Sequence, residues 1–435
     1  MDILLKNGNI IDPGSGRDEV ADVLIVDGVI ERIKSKLPER ARTTLVDCTG
    51  AVIAPGFVDM HVHAREPGFE YKETLATAMA AARSGGFTTI CCMPNTDPPA
   101  DTAAVVEFIR RRSLEVLPRL VDVYSVGAVT KGRQGKELAP MAELARAGAV
   151  AFSDDGAPVE SSEIMRRALE YSSMVQKPII QHAEDPSLTK NGVMNEGVTA
   201  TRLGMPGIPP VAEGLMIERD IRLVEYVLGS IPDEGKRPQY HVAHISTASS
   251  VELVRRARKQ ELPVSCEATP HHFTLTEDAV RTFDTDTKMN PPLRTRDDVE
   301  AVKEGLRDGT IDVIATDHAP HSFDEKQVEY GFAPFGVVGL ETAIGLALTE
   351  LVHTKMLSLP LLIEKFSVNP RKILHLPPVT IAEGQHANLT VFDAHREWTV
   401  DTSGFKSKSR NSPFQGRLLK GRAVAVVNHG SIDIL

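Results

Sequence analysis

The stretch APGFVDMHVHAREPG, residues 54–68, begins with an apolar run and carries two histidines, His61 and His63, two positions apart. Side chains alternate along a strand, so residues two apart project to one face and can share an ion. A His-x-His pair by itself is weak evidence for a metal site. The neighbouring segment says more about the fold: ETLATAMAAARSGG has helical composition, so the stretch opens a strand–helix unit.

That unit recurs along the chain. Strands are read at GFVDMHVH (56–63), FTTICCM (87–93), DVYSVGAVT (122–130) and AVAFSDD (149–155). Four more are read at PIIQHAE (178–184), YHVAHIS (240–246), PVSCEAT (263–269) and DVIATDH (312–318). Each leads into a segment of helical composition, such as ASSVELVRRARKQ after the sixth. Eight such units in series predict an α/β protein built on a (β/α)8 TIM barrel, because parallel neighbours need crossover helices. A doubly wound open sheet is the alternative, but no glycine-rich dinucleotide turn accompanies these strands.

Both ends of the chain are β-rich. DILLKNGNIID and DVLIVDGVIERI carry Asn-Gly and Asp-Gly hairpin signals, and ANLTVFDA and GRAVAVVNHG read as strands near the C terminus. The expected organisation is a barrel over 55–370 and a small composite β-sandwich domain from 1–54 and 371–435.

Composition narrows the function classes. The 435 residues are 42% hydrophobic and 25% charged, an ordinary globular balance. A net charge of −10 without any basic block argues against nucleic acid as a partner. No run reaches the ~18 apolar residues that span a bilayer, and MDILLKNGNIIDPGSG lacks the pattern of a secretory leader. A cytoplasmic protein with no membrane role is expected. Cys48, Cys91, Cys92 and Cys266 have neither disulfide-framework nor zinc-finger spacing and read as buried free thiols.

The polar residues keep one phase. His61 and His63 end strand one, Asn95 follows strand two, and Asp154 and Asp155 end strand four. His182 ends strand five, His244 lies near the end of strand six, His271 and His272 follow strand seven, and Asp317 and His321 close strand eight. These are the C-terminal strand ends, where barrels of this kind build their active sites. Histidine and carboxylate donors together suit zinc or a similar divalent ion. Strict alternation allows only one of His241 and His244 to face inward, and His244 is nearer the strand end. The same rule sends Asp154 and Asp155 opposite ways. His271 and His272 have the right phase but are read as packing or hydrogen-bonding residues.

Seven segments in order, GFVDMHVHAREPG, CCMPNT, FSDDG, QHAED, HVAHIST, KMNPPLR and ATDHAPH, resemble the amidohydrolase superfamily. More narrowly, they resemble the dihydroorotases of the shorter, bacterial single-function class, over the whole chain. That resemblance implies interconversion of dihydroorotate and N-carbamoyl-L-aspartate in pyrimidine biosynthesis, with two zinc ions per subunit. It implies that His61, His63 and Asp317 serve the first zinc, that His182 and His244 serve the second, and that a strand-four group bridges them. No lysine lies between Ala149 and Glu163 to be carboxylated as in many relatives. The step to His182 fits the family better from Asp155 than from Asp154, so Asp155 is assigned and Asp154 stays the alternative.

The resemblance further implies substrate contacts from His63, Arg65, Asn95, Asn290 and His321, and from the backbone of Phe335 and Gly336. Arg65 also makes independent sense, since a planar guanidinium can grip a carboxylate through two parallel hydrogen bonds. Ala64, where the family usually has leucine, should point away from the metals. Asp317 is the expected catalytic proton carrier between the attacking water and the leaving ring nitrogen. A homo-oligomer and a partnership with aspartate transcarbamoylase are the implied associations. Competing readings are an allantoinase- or dihydropyrimidinase-type hydrolase, a noncatalytic partner of aspartate transcarbamoylase, and a simple metal-binding protein.

Overall fold

The computed structural model describes residues 2–39, 42–231 and 234–435. Eight parallel strands run in chain order around a barrel: Phe57–Val62, Phe87–Cys92, Asp122–Gly127, Ala149–Phe152, Ile179–Gln181, Tyr240–Val242, Val264–Ala268 and Val313–Ile314. A bridge between Val62 and His318 joins the last strand to the first. All eight expected strands are present. Their functional residues lie on the last strand residues or just beyond, where the chain leaves the sheet.

The apolar positions divide between two layers. Met60, Cys91, Ala151, Ile180, Ala243 and Val313 fill the barrel interior together with Leu374 and Leu376. A larger cluster, including Phe87, Val123, Val242 and Leu306, packs strands against helices. The expected helices after strands one and six form at Leu75–Ser84 and Ala248–Lys259, started by the side-chain caps Thr74 and Thr247. Buried Asp59 fastens the seam, accepting from His61 N–H at 3.1 Å, Thr316 N–H at 3.1 Å and Thr316 Oγ1 at 2.5 Å. A register shift between Asp59 and Val62 bends strand one at the first of its two histidines.

Both termini build one eight-stranded sheet, curled around its own core of Ile3, Ile25, Ile53, Leu389 and Val427. Strand Val52–Pro55 pairs antiparallel with Leu389–Thr399, which knits the two ends together. Asp27–Gly28 makes the expected hairpin turn, with φ of 48° and 81°. Asn7–Gly8 does not turn. Strand Asp2–Asp12 runs through it with a register shift, because Asn7 N–H is bound by the Asp22 carboxylate at 2.8 Å. Gly8 is needed there for close approach, since a Cβ would lie 2.4 Å from Ile53 Cδ1. Among the described residues, no helix is long and apolar enough to cross a membrane.

Candidate active site

Asp155 lies at the centre of the strand ends. Its Oδ2 is 3.4 Å from His61 Nε2 and 3.3 Å from His63 Nε2, and its Oδ1 is 3.6 Å from both His182 Nδ1 and His244 Nε2. Asp317 closes one side, with Oδ1 2.9 Å from His63 Nε2 and 3.6 Å from His61 Nε2. Two groups able to hold a metal ion result, His61–His63–Asp155 and Asp155–His182–His244, all buried and sharing one carboxylate. His61 Nε2 and Asp155 Oδ1 are buried without a hydrogen-bond partner. Unpartnered polar atoms are costly in a protein interior unless a further group satisfies them. The donor set therefore fits a divalent cation.

Neighbouring residues set which ring nitrogen faces the centre. Glu267 Oε1 binds His61 Nδ1 at 2.6 Å, and Asn95 Oδ1 binds His63 Nδ1 at 2.8 Å, so both rings turn Nε2 inward. Glu184 binds His182 Nε2 at 3.1 Å and leaves Nδ1 inward. Burial opposes charge on Glu267, yet His61 and His241 hold its carboxyl down to about 2. Burial likewise opposes charge on Asp155, and His61 and the other rings hold it well below the usual carboxylate range.

Asp154 is occupied elsewhere. Its carboxylate accepts from Val129 N–H at 2.9 Å, Thr130 N–H at 3.0 Å and the Thr130 hydroxyl. Arg133 donates to the carbonyls of Asp154 at 3.2 Å and Asp155 at 2.7 Å, fixing the bend that sends the two side chains apart.

A cavity of about 380 Å³ lies over this centre, lined by His63, Arg65, Asn95, Asp155, His182, His244, Asn290, Asp317, His321, Phe335 and Gly336. Arg65 Nε donates to Pro320 C=O at 3.1 Å, and burial pushes its guanidinium down to about 10. His321 is kept neutral, pushed down to about 2 by burial and by Arg65 and Lys72. In that state its Nε2–H donates to Phe335 C=O at 2.9 Å, while Nδ1 accepts from Lys72 Nζ at 3.4 Å. Asn290 Nδ2 reaches both His182 and Glu184. Arg65, His244 and Asp317 have φ of 64°, 31° and 48°. Left-handed backbone at residues other than glycine costs about 1–3 kcal/mol and gathers at functional sites.

Alternation misleads at strand six. His244 Nε2 points to Asp155, yet His241 also reaches inward, with Nε2 3.2 Å from Glu267 Oε2. The positive φ of His244 interrupts the strand's parity after Val242. His272 is hydrogen-bonded at both nitrogens, to Thr269 Oγ1 at 2.7 Å and Pro291 C=O at 2.9 Å. His271 packs edge-on against it, 4.4 Å between ring centroids. Glu184, Glu267 and Arg133 were not singled out from the sequence. The one available signal was a charged residue inside the apolar strand SCEAT.

The whole chain shares its fold with L-hydantoinase (dihydropyrimidinase) from Arthrobacter aurescens, with a TM-score of 0.86 at 24% identity over 100% of this chain and 97% of that one. Dihydropyrimidinase from Brevibacillus agri gives 0.83 at 21% identity, over 100% and 95% of the two chains. Both likenesses are of fold, and with the strand-end histidines and aspartates they define a (β/α)8 barrel able to hold divalent metal at its strand ends. A profile described as dihydro-orotase-like matches residues 50–250. The dihydroorotase of Pelotomaculum thermopropionicum is 49% identical over 432 residues, covering 99% of this chain and 98% of its own. That of Acetivibrio thermocellus is 48% identical over 432 residues, covering 99% of both chains. The chain belongs to the dihydroorotase family and is an enzyme that interconverts dihydroorotate and N-carbamoyl-L-aspartate.

Proposed function

We propose that the enzyme works with two zinc ions, one held by His61, His63, Asp155 and Asp317, the other by His182, His244 and the shared Asp155. The observation that supports this most directly is the pair of buried donor groups with one common carboxylate, in which His61 Nε2 and Asp155 Oδ1 have no hydrogen-bond partner. When bound, zinc makes water acidic and polarises a carbonyl oxygen.

The chain's own residues do the rest. Arg65 grips the substrate carboxylate, and its bond to Pro320 C=O aims the guanidinium. Asn95 spends its oxygen on His63 and keeps Nδ2 for the substrate. Asn290, neutral His321 and the backbone of Phe335 and Gly336 orient the ring. Asp317 Oδ1 faces His63, so Oδ2 takes the proton from attacking water and returns it to the leaving ring nitrogen. Cyclisation uses the same groups in reverse.

We further propose a division into a 55–370 barrel and a 1–54 plus 371–435 composite domain, a homo-oligomer, and a cytoplasmic location. Aspartate transcarbamoylase as a partner is supported by family resemblance alone. The test is to count metal by elemental analysis of the active enzyme, then chelate it and restore zinc stepwise. Two ions per chain at full activity are expected; full activity with one ion overturns the arrangement.

Glu267→Gln offers a second check. The amide turns a charged acceptor on His61 Nδ1–H into a neutral one, so zinc affinity should fall about 10–100-fold. Competition against a chromophoric chelator measures it. Unchanged affinity would mean that Glu267 only fills space.

A further inference from the structure

The segment that carries Phe335 and Gly336, residues 330–336, contains neither helix nor strand. Two buried lysines hold it from below. Lys326, 4% exposed, donates from Nζ to Pro334 C=O at 2.9 Å, Thr285 C=O at 3.0 Å and Lys288 C=O at 3.5 Å. Lys288, 3% exposed, donates to the carbonyls of Tyr330 and Gly331, each at 2.9 Å. Its Nζ also lies 4.7 Å from the centroid of the Phe335 ring, within cation–π range. Lys288 C=O in turn accepts from Gly336 N–H at 2.9 Å.

Neither ammonium forms an ion pair among the described residues. A buried charge without an ion pair is expensive, and here each ammonium is met by backbone carbonyl oxygens. The carbonyls chosen are informative. Three of them belong to the 330–336 segment itself, and one to the residue whose backbone holds Gly336. Lys365 shows the same chemistry at a different place: 1% exposed, it donates to Ile311 C=O at 2.6 Å, ahead of the last barrel strand and away from the cavity.

We propose that Lys326 and Lys288 are positioning residues for the reaction, fixing the 330–336 segment so that Phe335 and Gly336 meet the substrate ring in a single orientation. This rests on the reading that Phe335 and Gly336 contact substrate. Loss of either ammonium frees the segment without touching a metal ligand. The cost therefore falls on substrate binding before it falls on chemistry.

The experiment compares Lys326→Met, Lys288→Met and Lys365→Met in the full-length, zinc-loaded enzyme. KM for dihydroorotate should rise about tenfold or more in the first two, since small misplacements of binding groups are costly. Bound metal should stay at the wild-type level, and amide exchange should quicken across 330–336 only. Lys365→Met should lower the melting temperature and leave both KM and exchange in that segment unchanged. Should Lys326→Met fail to fold, Lys288→Met carries the same two readouts.

Gly336→Ala separates this idea from the reading beneath it. Its Cβ would lie 2.8 Å from Ala319 Cβ at a φ of 128°, so the segment must shift. An unchanged KM in Gly336→Ala removes the segment from the substrate, and the positioning role falls with it. A raised KM in Gly336→Ala with unchanged KM in both lysine variants overturns the positioning role alone.

Discussion

Asp155→Ala should strip bound metal and reduce dihydroorotate hydrolysis by about four orders of magnitude, in the range seen when a central catalytic group is removed. Four histidine rings face this one carboxylate at 3.3–3.6 Å, and among the described residues no other side chain spans both donor groups. Without it, each site loses a ligand, and four imidazoles crowd together with less negative charge among them.

Asp154→Ala should behave oppositely. Metal and activity persist, while Thr130 N–H and the Thr130 hydroxyl lose their acceptor in a buried place and Val129 N–H keeps only Ser153 C=O at 3.3 Å. Each unsatisfied group costs about 1–3 kcal/mol, so the loss appears in the melting temperature. Metal analysis and a thermal melt of the two variants decide the matter. If Asp154→Ala loses metal while Asp155→Ala keeps it, Asp155 is not the shared ligand.

The contrast between these adjacent aspartates shows what was legible in the sequence. The barrel was legible because eight apolar runs alternate with helical segments, and the site because all of them but the third end in polar residues of one phase. The direction of each aspartate was not, because it depends on Arg133, 21 positions before Asp154, gripping the two carbonyls. Period-two reasoning placed His61 and His63 together, and both rings face Asp155 even though a register shift between Asp59 and Val62 spans His61. It allowed only one of His241 and His244 to face inward, and both do, because His244 lies in left-handed backbone that no local propensity announces. Asn7–Gly8 misled in the same manner: a turn signal was overridden by tertiary contacts with Asp22 and Ile53. Glu267 shows the deeper limit. Its role exists only because strand seven brings it beside His61, 206 positions away.

Asp317→Asn should lower kcat about 10²–10⁴-fold, the usual worth of a positioned general acid–base, with KM and bound metal close to wild type. Asparagine is the informative replacement. Position 317 has a φ of 48°, a conformation asparagine tolerates better than most residues, so the backbone should stay in place. The amide oxygen can still face His63, where Oδ1 now lies at 2.9 Å, which preserves a ligand atom for the first ion. What the amide cannot do is carry a proton from attacking water to the leaving nitrogen. Ligation and proton transfer are therefore separable in this one variant. A drop in kcat with metal retained supports the proton-carrying role. Loss of metal in step with kcat would make Asp317 a ligand only. Unchanged kcat would move the proton transfer to another group, and neutral His321, whose Nε2 lies 3.4 Å from Arg65 Nη2, would be the next to test.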